Sequence, residues 1–289
     1  NSGIITVING VATKYIINNP TDGTVDNNIT VTVELQDINN NIVTVGLDKD
    51  KDVTLNGDVS VTGDTLVNIN NGVGTLSLNN HVAETVNLSL TDSQSTMFNV
   101  ASTQDVIFAH GVATKCVITN PTDGTVDSAI PVTVTLQDQY TNTITTGADK
   151  DKDVTLNVDG SATGGSVVSI TNGTGSLNIS DHVAETVNLS LTDSQSTMFN
   201  VASTQDVIFA HGVAAKYIII DPTDGTVDND IVVTVKLQDQ YTNTVNTGAD
   251  KDKDVTLNAD GAVTNDGLVD ISSGVGTLSL NDHVAETVN

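Results

Sequence analysis

The sequence predicts an all-β fold built from tandem antiparallel β-sandwich units, and three observations support this prediction. Short segments alternate apolar with polar residues, which is the pattern of half-buried strands. Turn-forming residues separate these segments at short intervals. The whole pattern then recurs after 101 residues. Close repetition at that period indicates one folding unit copied in tandem.

The 101-residue period holds without insertion or deletion along the whole chain. Residues 10–14 (GVATK) return as residues 111–115 and, with one change, as 212–216. A unit of about 100 residues is an ordinary domain size. The frame predicts complete units at 10–110 and 111–211, and a third unit at 212–289 that lacks its last strand or strands. Residues 1–9 are predicted to be the last strand of a preceding domain or a strand donated to a neighbour.

The first unit shows the strand pattern element by element, and none of its segments has a helical period of 3.6 residues. About seven short strands in about 100 residues favour an antiparallel sandwich. Turn signals between them lie at residues 20–23, 37–41, 71–72 and 79–80. The predicted strand segments are residues 15–17, 29–35, 42–45, 53–55, 66–69, 75–78, 86–90 and 106–108.

Composition excludes several classes of function. The chain has 36 acidic residues against 10 basic ones and a formal net charge of −26, so it would repel a nucleic acid. It has no run of about 18 apolar residues that could span a membrane. One cysteine, Cys116, allows no internal disulfide. No Gly-x-Ser-x-Gly motif and no paired nucleophile and base appear, so the sequence predicts a protein without enzymatic activity.

Several segments resemble bacterial Ig-like domains, which form the stalks of invasin- and intimin-like adhesins and of repetitive surface proteins. Residues 29–37 (ITVTVELQD) with 41–43 resemble the second strand and turn of that family. Residues 71–78 and 83–90 are similar to its paired strands, and 106–111 leading into 113–115 to its crossing between domains. The resemblance covers all three units and implies three tandem Ig-like sandwiches that are extracellular or attached to the cell surface.

That resemblance implies a structural role, because such domains mostly serve as spacers. We expect an extracellular stalk or filament that mediates cell-surface projection, adhesion or matrix assembly. Its expected partners are neighbouring copies of the same chain and a host-surface, glycan or matrix ligand. Two alternatives remain open at this point: an array of glycan- or protein-binding modules, and the spacer region of a larger secreted enzyme.

The junction between units has no flexible linker in the sequence. Residues 106–110 run through Gly111 into 112–117 without a Pro-, Ser- or Gly-rich stretch. A short junction restricts bending, so the sequence predicts a semi-rigid rod.

Calcium is the one cofactor that the sequence suggests, because Ca²⁺ prefers carboxylate oxygens and acids alternate with lysines at residues 48–52. We expect this loop to share one end of the sandwich with two earlier acids, Asp22 and Asp26, of which Asp22 is also a plausible turn former. Several acids gathered at a tight junction would favour a bound cation. The candidate ligands in the three units are Asp22, Asp26, Asp48, Asp50, Asp52, Asp123, Asp127, Asp149, Asp151, Asp153, Asp224, Asp228, Asp250, Asp252 and Asp254.

Overall fold

The computed structural model describes residues 3–289, and every regular element in that range is a β-strand. None of these residues forms a helix that is long and apolar enough to cross a membrane. The predicted strand at residues 1–9 is partly outside the described range. The described part of it, residues 3–9, forms no strand.

By its internal contacts the chain divides into two compact units. One consists of the chain up to Lys115 together with Leu136–Asp151, and the other of Cys116–Thr135 and Lys152–Asn289. All the cuts fall within residues 111–211, whereas the sequence repeat places its boundaries at 110/111 and 211/212. The repeat boundaries stay a prediction.

Residues 12–109 of the first unit form two sheets that face each other. Their strand orders are β1-β3-β6 and β2-β8-β7-β4-β5. All neighbours pair antiparallel except the short β2, which runs parallel to β8. The strands are β1 Ala12–Ile17, β2 Gly23–Thr24, β3 Ile29–Asp37, β4 Val53–Gly57, β5 Leu66–Val67, β6 Val73–Leu78, β7 Glu84–Thr91 and β8 Gln104–Ala109.

The core of this sandwich follows from the alternation in its strands. In β3 every second residue from Ile29 to Asp37 is buried, and the intervening ones are partly or fully exposed. Tyr15, Leu35 and Phe108 from the two sheets are fully buried in one apolar cluster. Burying a side chain of this size stabilises the fold by about 1.5–3 kcal/mol. The predicted all-β sandwich is therefore confirmed.

One predicted strand is wrong. Residues 42–45 form only an isolated bridge, in which Ile42 pairs with Gln36. Val43 is nevertheless buried, and its N–H donates to the carbonyl of Leu35 at 2.9 Å. The alternation at 42–45 therefore reflects one buried residue in a loop and not a strand.

Most of the middle repeat repeats this arrangement. The sheet β10-β16-β15-β12-β13 lies in the second unit and has the same order as its counterpart, and β11 pairs antiparallel with β14. The strands are β9 Lys115–Ile118, β10 Gly124–Thr125, β11 Ile130–Gln137, β12 Val154–Val158, β13 Val167–Val168, β14 Thr174–Ile179, β15 Glu185–Thr192 and β16 Thr204–Ala210.

Residues 212–289 form five strands in two sheets, β17-β18-β21 and β19-β20. Within the described chain they contain no counterparts of β7 and β8. Tyr217, which occupies the position of the buried Tyr15, is 39% exposed. The prediction that this unit lacks its last strands stays a prediction. The strands are β17 Ala214–Ile220, β18 Ile231–Asp239, β19 Val255–Leu257, β20 Gly267–Val269 and β21 Val275–Leu280.

Strand direction gives the first repeat two distinct ends. At one end Thr54 pairs with Thr91, next to the turns at 37–52 and 92–97; we call this the leading end. At the other end Phe108 pairs with both Glu84 and Gly23, next to the turns at 25–28 and 79–83; we call this the trailing end.

Candidate functional site

The crossing from the first repeat to the second is fixed by a buried carboxylate. Asp138 follows β11, is fully buried, and accepts a hydrogen bond from the Gly111 N–H at 2.8 Å. Its other oxygen accepts the N–H groups of Tyr140 and Asn142, each at 2.9 Å. An aspartate that binds backbone groups two and four residues further on organises a turn. This turn is thereby tied to Gly111.

The hydrogen-bond donors around Asp138 keep its carboxyl group ionised. Burial by itself raises the pKa of a carboxyl group. The hydrogen bonds from the Asn142 side chain and from the N–H groups of Gly111, Asn142 and Tyr140 outweigh burial, so the pKa of Asp138 lies below its ordinary value. The group is thus a structural anion, satisfied by amides rather than by a cation.

A second carboxylate, Asp26, reaches the crossing from the trailing end of the first repeat. It accepts the Val112 N–H at 2.9 Å and the Gln139 side-chain amide at 3.1 Å. Backbone and carboxylate approach so closely here that a Cβ atom on Gly111 would overlap the Asp26 carboxylate. A larger residue at 111 would therefore have to displace the Asp26 carboxylate.

A stacked pair of rings lies beside these carboxylates. The rings of His81 and Tyr140 are 4.1 Å apart and almost parallel, at 9°. Asn142 donates to the His81 carbonyl at 2.9 Å and accepts the Ala83 N–H at 2.8 Å. Because Asn142 binds backbone on both sides of this turn, it holds the turn and its histidine against the Asp138 loop.

The second crossing repeats every one of these contacts inside the second unit. Asp239 and Asp127 take the places of Asp138 and Asp26, and burial and hydrogen bonding act on the pKa of Asp239 as on Asp138, with a net lowering. The contacts are Gly212 N–H to Asp239 at 2.8 Å, Val213 N–H to Asp127 at 2.9 Å, Gln240 to Asp127 at 3.2 Å, Asn243 to the His182 carbonyl at 2.9 Å, Ala184 N–H to Asn243 at 2.8 Å, and His182 stacked on Tyr241 at 4.2 Å.

At the leading end of the first repeat, Asp37 is the counterpart of Asp138, but the residues that follow it differ. Asp37 accepts the Gly10 N–H at 2.7 Å, and hydrogen bonds from Asn41 and Gly10 lower its pKa to about 2. Ile38 and Asn39 stand where the second repeat has the glutamine and tyrosine that contact the preceding repeat. Ile38 is 75% exposed.

The predicted calcium ligands at residues 48–52 bind amides of their own repeat. Asp52 accepts the Ile69 N–H at 2.9 Å, and Asp50 accepts the Asn71 N–H at 2.9 Å and pairs with Lys49. The hydrogen bond from Lys49, followed by that from Asn71, lowers the pKa of Asp50. The same N–H bonds recur at Asp153, Asp252 and Asp254, and Lys ion pairs at Asp151, Asp250 and Asp252.

The predicted ligands of the earlier loop lie at the other end of the sandwich. Asp22 accepts the Ile107 N–H at 2.8 Å beside β8, as Asp123 accepts that of Ile208 at 2.9 Å. The expectation that Asp22 and Asp26 share one end with residues 48–52 is therefore wrong, because β3 and β4 carry the chain to the leading end and back. Within residues 3–289, no three acidic, histidine or cysteine side chains are grouped as a metal site. Calcium binding by the individual loops, including Asp48, Asp149, Asp224 and Asp228, stays a prediction.

Sequence reasoning pointed to the junction but missed how it is made. It predicted a short junction with gathered acids, yet it missed Asn142 and the buried Asp138. The available signal was the spacing Asp-x-x-x-Asn, which recurs at residues 37–41, 138–142 and 239–243. The polar pair at the two ends of this spacing closes each turn.

Comparisons with known proteins place bacterial adhesins among the solved structures that this chain is similar to. No protein-family model matches the sequence, and no curated protein matches it. An Escherichia coli adhesin, FdeC, is 16% identical over 95% of this chain and 91% of its own, with a TM-score of 0.45. Invasin, a bacterial integrin-binding protein, is 14% identical over 96% of this chain, which spans 55% of the invasin chain, with a TM-score of 0.41. The D0–D1 domain of intimin is 20% identical over 69% of this chain and 98% of its own, with a TM-score of 0.26.

Proposed function

We propose that this chain is a non-enzymatic, extracellular structural segment, a stalk or filament whose repeats are docked directly on one another. In this role the repeats form a structural element that serves cell-surface projection, adhesion or matrix assembly. Neighbouring copies of the chain and a host-surface, glycan or matrix ligand are its proposed partners.

The observation that carries this proposal is the docking at the crossing. Three consecutive residues of the crossing, residues 110–112, each have a hydrogen-bonded partner in the loops on either side. The backbone has no free linker there, and the same bonds recur 101 residues later. A chain selected only to tether two domains would not need a repeated set of side-chain clamps. A chain that keeps successive domains in a set orientation would.

The surface composition supports the extracellular part of the proposal. The chain has a net charge of −26, which favours solubility and disfavours binding to polyanions. Its single cysteine, Cys116, is buried, and burial followed by the charge of Asp193 raises its pKa to about 11. The described surface therefore offers no reactive thiol to an oxidising exterior.

The test removes one clamp at each crossing. In the double variant Asp26→Ala/Asp127→Ala, the N–H groups of Val112 and Val213 lose their acceptors, and the glutamine contacts are lost. We expect small-angle X-ray scattering to show a wider distribution of interatomic distances for the variant than for the wild type. Thermal unfolding of the individual repeats should change little.

The matched control is Asp105→Ala/Asp206→Ala, which removes the same charge. Those carboxylates bind Asn87 and Asn188 within one sheet, at 2.7 Å each. The control should scatter like the wild type. If the wild type already has the broad distribution of freely jointed domains, or if both double variants broaden it equally, the stalk proposal fails.

A further inference from the structure

The histidine that ends each complete repeat is held by two hydrogen bonds of opposite polarity. Nδ1 of His110 lies 2.8 Å from the carbonyl oxygen of Gly111, an acceptor. Its Nε2 lies 3.1 Å from the backbone N–H of Thr146, a donor, and 2.8 Å from the hydroxyl of that residue. The ring is half-buried between the crossing and the Thr146 loop.

These partners assign both the tautomer and the charge of the ring. A carbonyl oxygen requires N–H at Nδ1, and a backbone N–H requires a lone pair at Nε2. Only the neutral imidazole with its proton on Nδ1 meets both requirements. The Thr146 hydroxyl can rotate to accept a bond from a protonated Nε2, but the backbone N–H cannot reverse.

Asn9 occupies the position before the first repeat that corresponds to His110. Its side-chain amide offers one donor and one acceptor, as the neutral histidine does, but it does not titrate. Asn9 donates from Nδ2 to the Gly10 carbonyl at 2.8 Å, and its Oδ1 accepts the N–H groups of Thr44 and Val45 at 3.0 and 3.1 Å. Val45 stands at the position of Thr146. An asparagine therefore makes the contact that the histidine makes only when it is neutral.

The second crossing has the histidine again. His211 lies 2.8 Å from the Gly212 carbonyl through Nδ1, and its Nε2 is 3.1 Å from the Thr247 N–H and 2.7 Å from the Thr247 hydroxyl. The residue that makes these two contacts is thus histidine at both crossings between repeats.

Carboxylates and other titratable side chains lie at the crossing near His110. At the first crossing these are Asp138 on the Gly111 N–H and Asp26 on the Val112 N–H, with the stacked His81 and Tyr140 on the adjoining turns. Negative charge favours a protonated ring. Both carboxylates, however, already accept several N–H donors, whereas protonation of Nε2 leaves the Thr146 N–H with no acceptor on the ring.

We propose that His110 and His211 are acid-sensitive latches, which hold the crossings when neutral and release the Thr146 and Thr247 backbone when they take a second proton. The bond from the backbone N–H is therefore present while the ring is neutral and is lost when Nε2 carries a proton. Histidine usually takes up this proton between about pH 8 and pH 5. The latch does not depend on the stalk role and would act in any protein that contains these crossings.

The experiment measures amide hydrogen exchange by NMR at pH 7.5 and pH 5.0, corrected for the intrinsic pH dependence of exchange. In the wild type, protection of the Thr146 and Thr247 amides should fall roughly 2- to 10-fold at pH 5.0, as for the loss of one hydrogen bond. Protection at Thr44 and Val45, which face Asn9, should stay within about twofold by the same reasoning. In the variant His110→Asn/His211→Asn, protection at Thr146 and Thr247 should become as insensitive to pH as at Val45.

Two results would overturn the proposal. One is an unchanged protection of Thr146 and Thr247 in the wild type between the two pH values, which needs no variant. The other is an acid-induced loss in the asparagine variant equal to that of the wild type. Imidazole ¹⁵N shifts give an independent readout, because a proton on Nε2 at pH 7.5 would contradict the assigned tautomer.

Discussion

At the residue scale, equivalent positions in the three repeats show which side chain each environment needs. Asn80 and Asp181 occupy the same buried position, at 1% and 3% exposure. Asn80 donates to Glu84 at 2.8 Å. Asp181 faces Glu185 instead, and its Oδ2 has no hydrogen-bond partner. Burial raises the pKa of Asp181, the hydrogen bond from Val183 lowers it, and Glu185 raises it further, with a net rise.

Replacing Asp181 with the asparagine of the first repeat should stabilise the second repeat at neutral pH. The Asp181→Asn variant supplies a donor to Glu185 and removes a buried unsatisfied oxygen, a gain of about 1–2 kcal/mol. A raised folded-state pKa means that stability present at low pH is lost as the pH rises through that pKa. The gain measured by thermal unfolding should therefore be larger at pH 7 than at pH 4.

The reverse exchange is the control for this prediction. Asn80→Asp should destabilise the first repeat and make its stability fall as the pH rises. Equal unfolding temperatures of Asp181→Asn and the wild type at pH 7 would show that Asp181 carries no unfavourable charge.

At the element scale, the connection between β8 and β9 depends on close approach rather than on turn geometry. A Cβ atom on Gly111 would overlap the Asp26 carboxylate, whereas at the equivalent Gly10 the nearest atom, in Asp37, would lie at 3.2 Å.

Alanine at these two glycines should therefore have different effects. Gly111→Ala forces the Asp26 carboxylate away and should cost about 1–3 kcal/mol, as overpacking does. Gly10→Ala should be close to neutral, since lower unfolded-state entropy contributes about 0.4–1 kcal/mol in its favour. Chemical denaturation of the two variants measures this difference. Similar losses at both positions would mean that the approach of Asp26 does not constrain the crossing.

At the scale of the whole molecule, the net charge of −26 is distributed among carboxylates, most of which accept hydrogen bonds from backbone N–H groups that are close in space. These hydrogen bonds compensate the carboxylates that accept them, while the summed repulsion between the repeats' charges remains. Salt screens that repulsion over about 8–10 Å.

Calcium binding at residues 48–52 predicts a specific stabilisation beyond screening. A ligand that binds only the folded chain adds about 2.7 kcal/mol when its free concentration is 100 times its Kd. Thermal unfolding with Ca²⁺ should then exceed that with EDTA at matched ionic strength, and Asp50→Asn should reduce the difference. Identical unfolding temperatures in Ca²⁺ and EDTA would rule out a calcium site that stabilises the fold.

Much of the fold could be predicted because it depends on local pattern. The alternation in residues 29–35 became β3, and that in residues 86–90 became β7. The prediction failed at residues 42–45, where alternation marks one buried valine in a loop. It also missed β2, because a two-residue parallel pairing leaves no alternation to detect.

The sequence by itself determined the period, the strand pattern, the absence of a linker and the excess of acid, because these depend on neighbouring residues or on counting. Only the tertiary structure decided which acids meet. Asp26 and Gln139 are 113 positions apart in sequence, and the strand directions place residues 48–52 at the opposite end from Asp22. It also decided that Asn9 and His110 perform one task, because that equivalence depends on hydrogen-bond polarity in space.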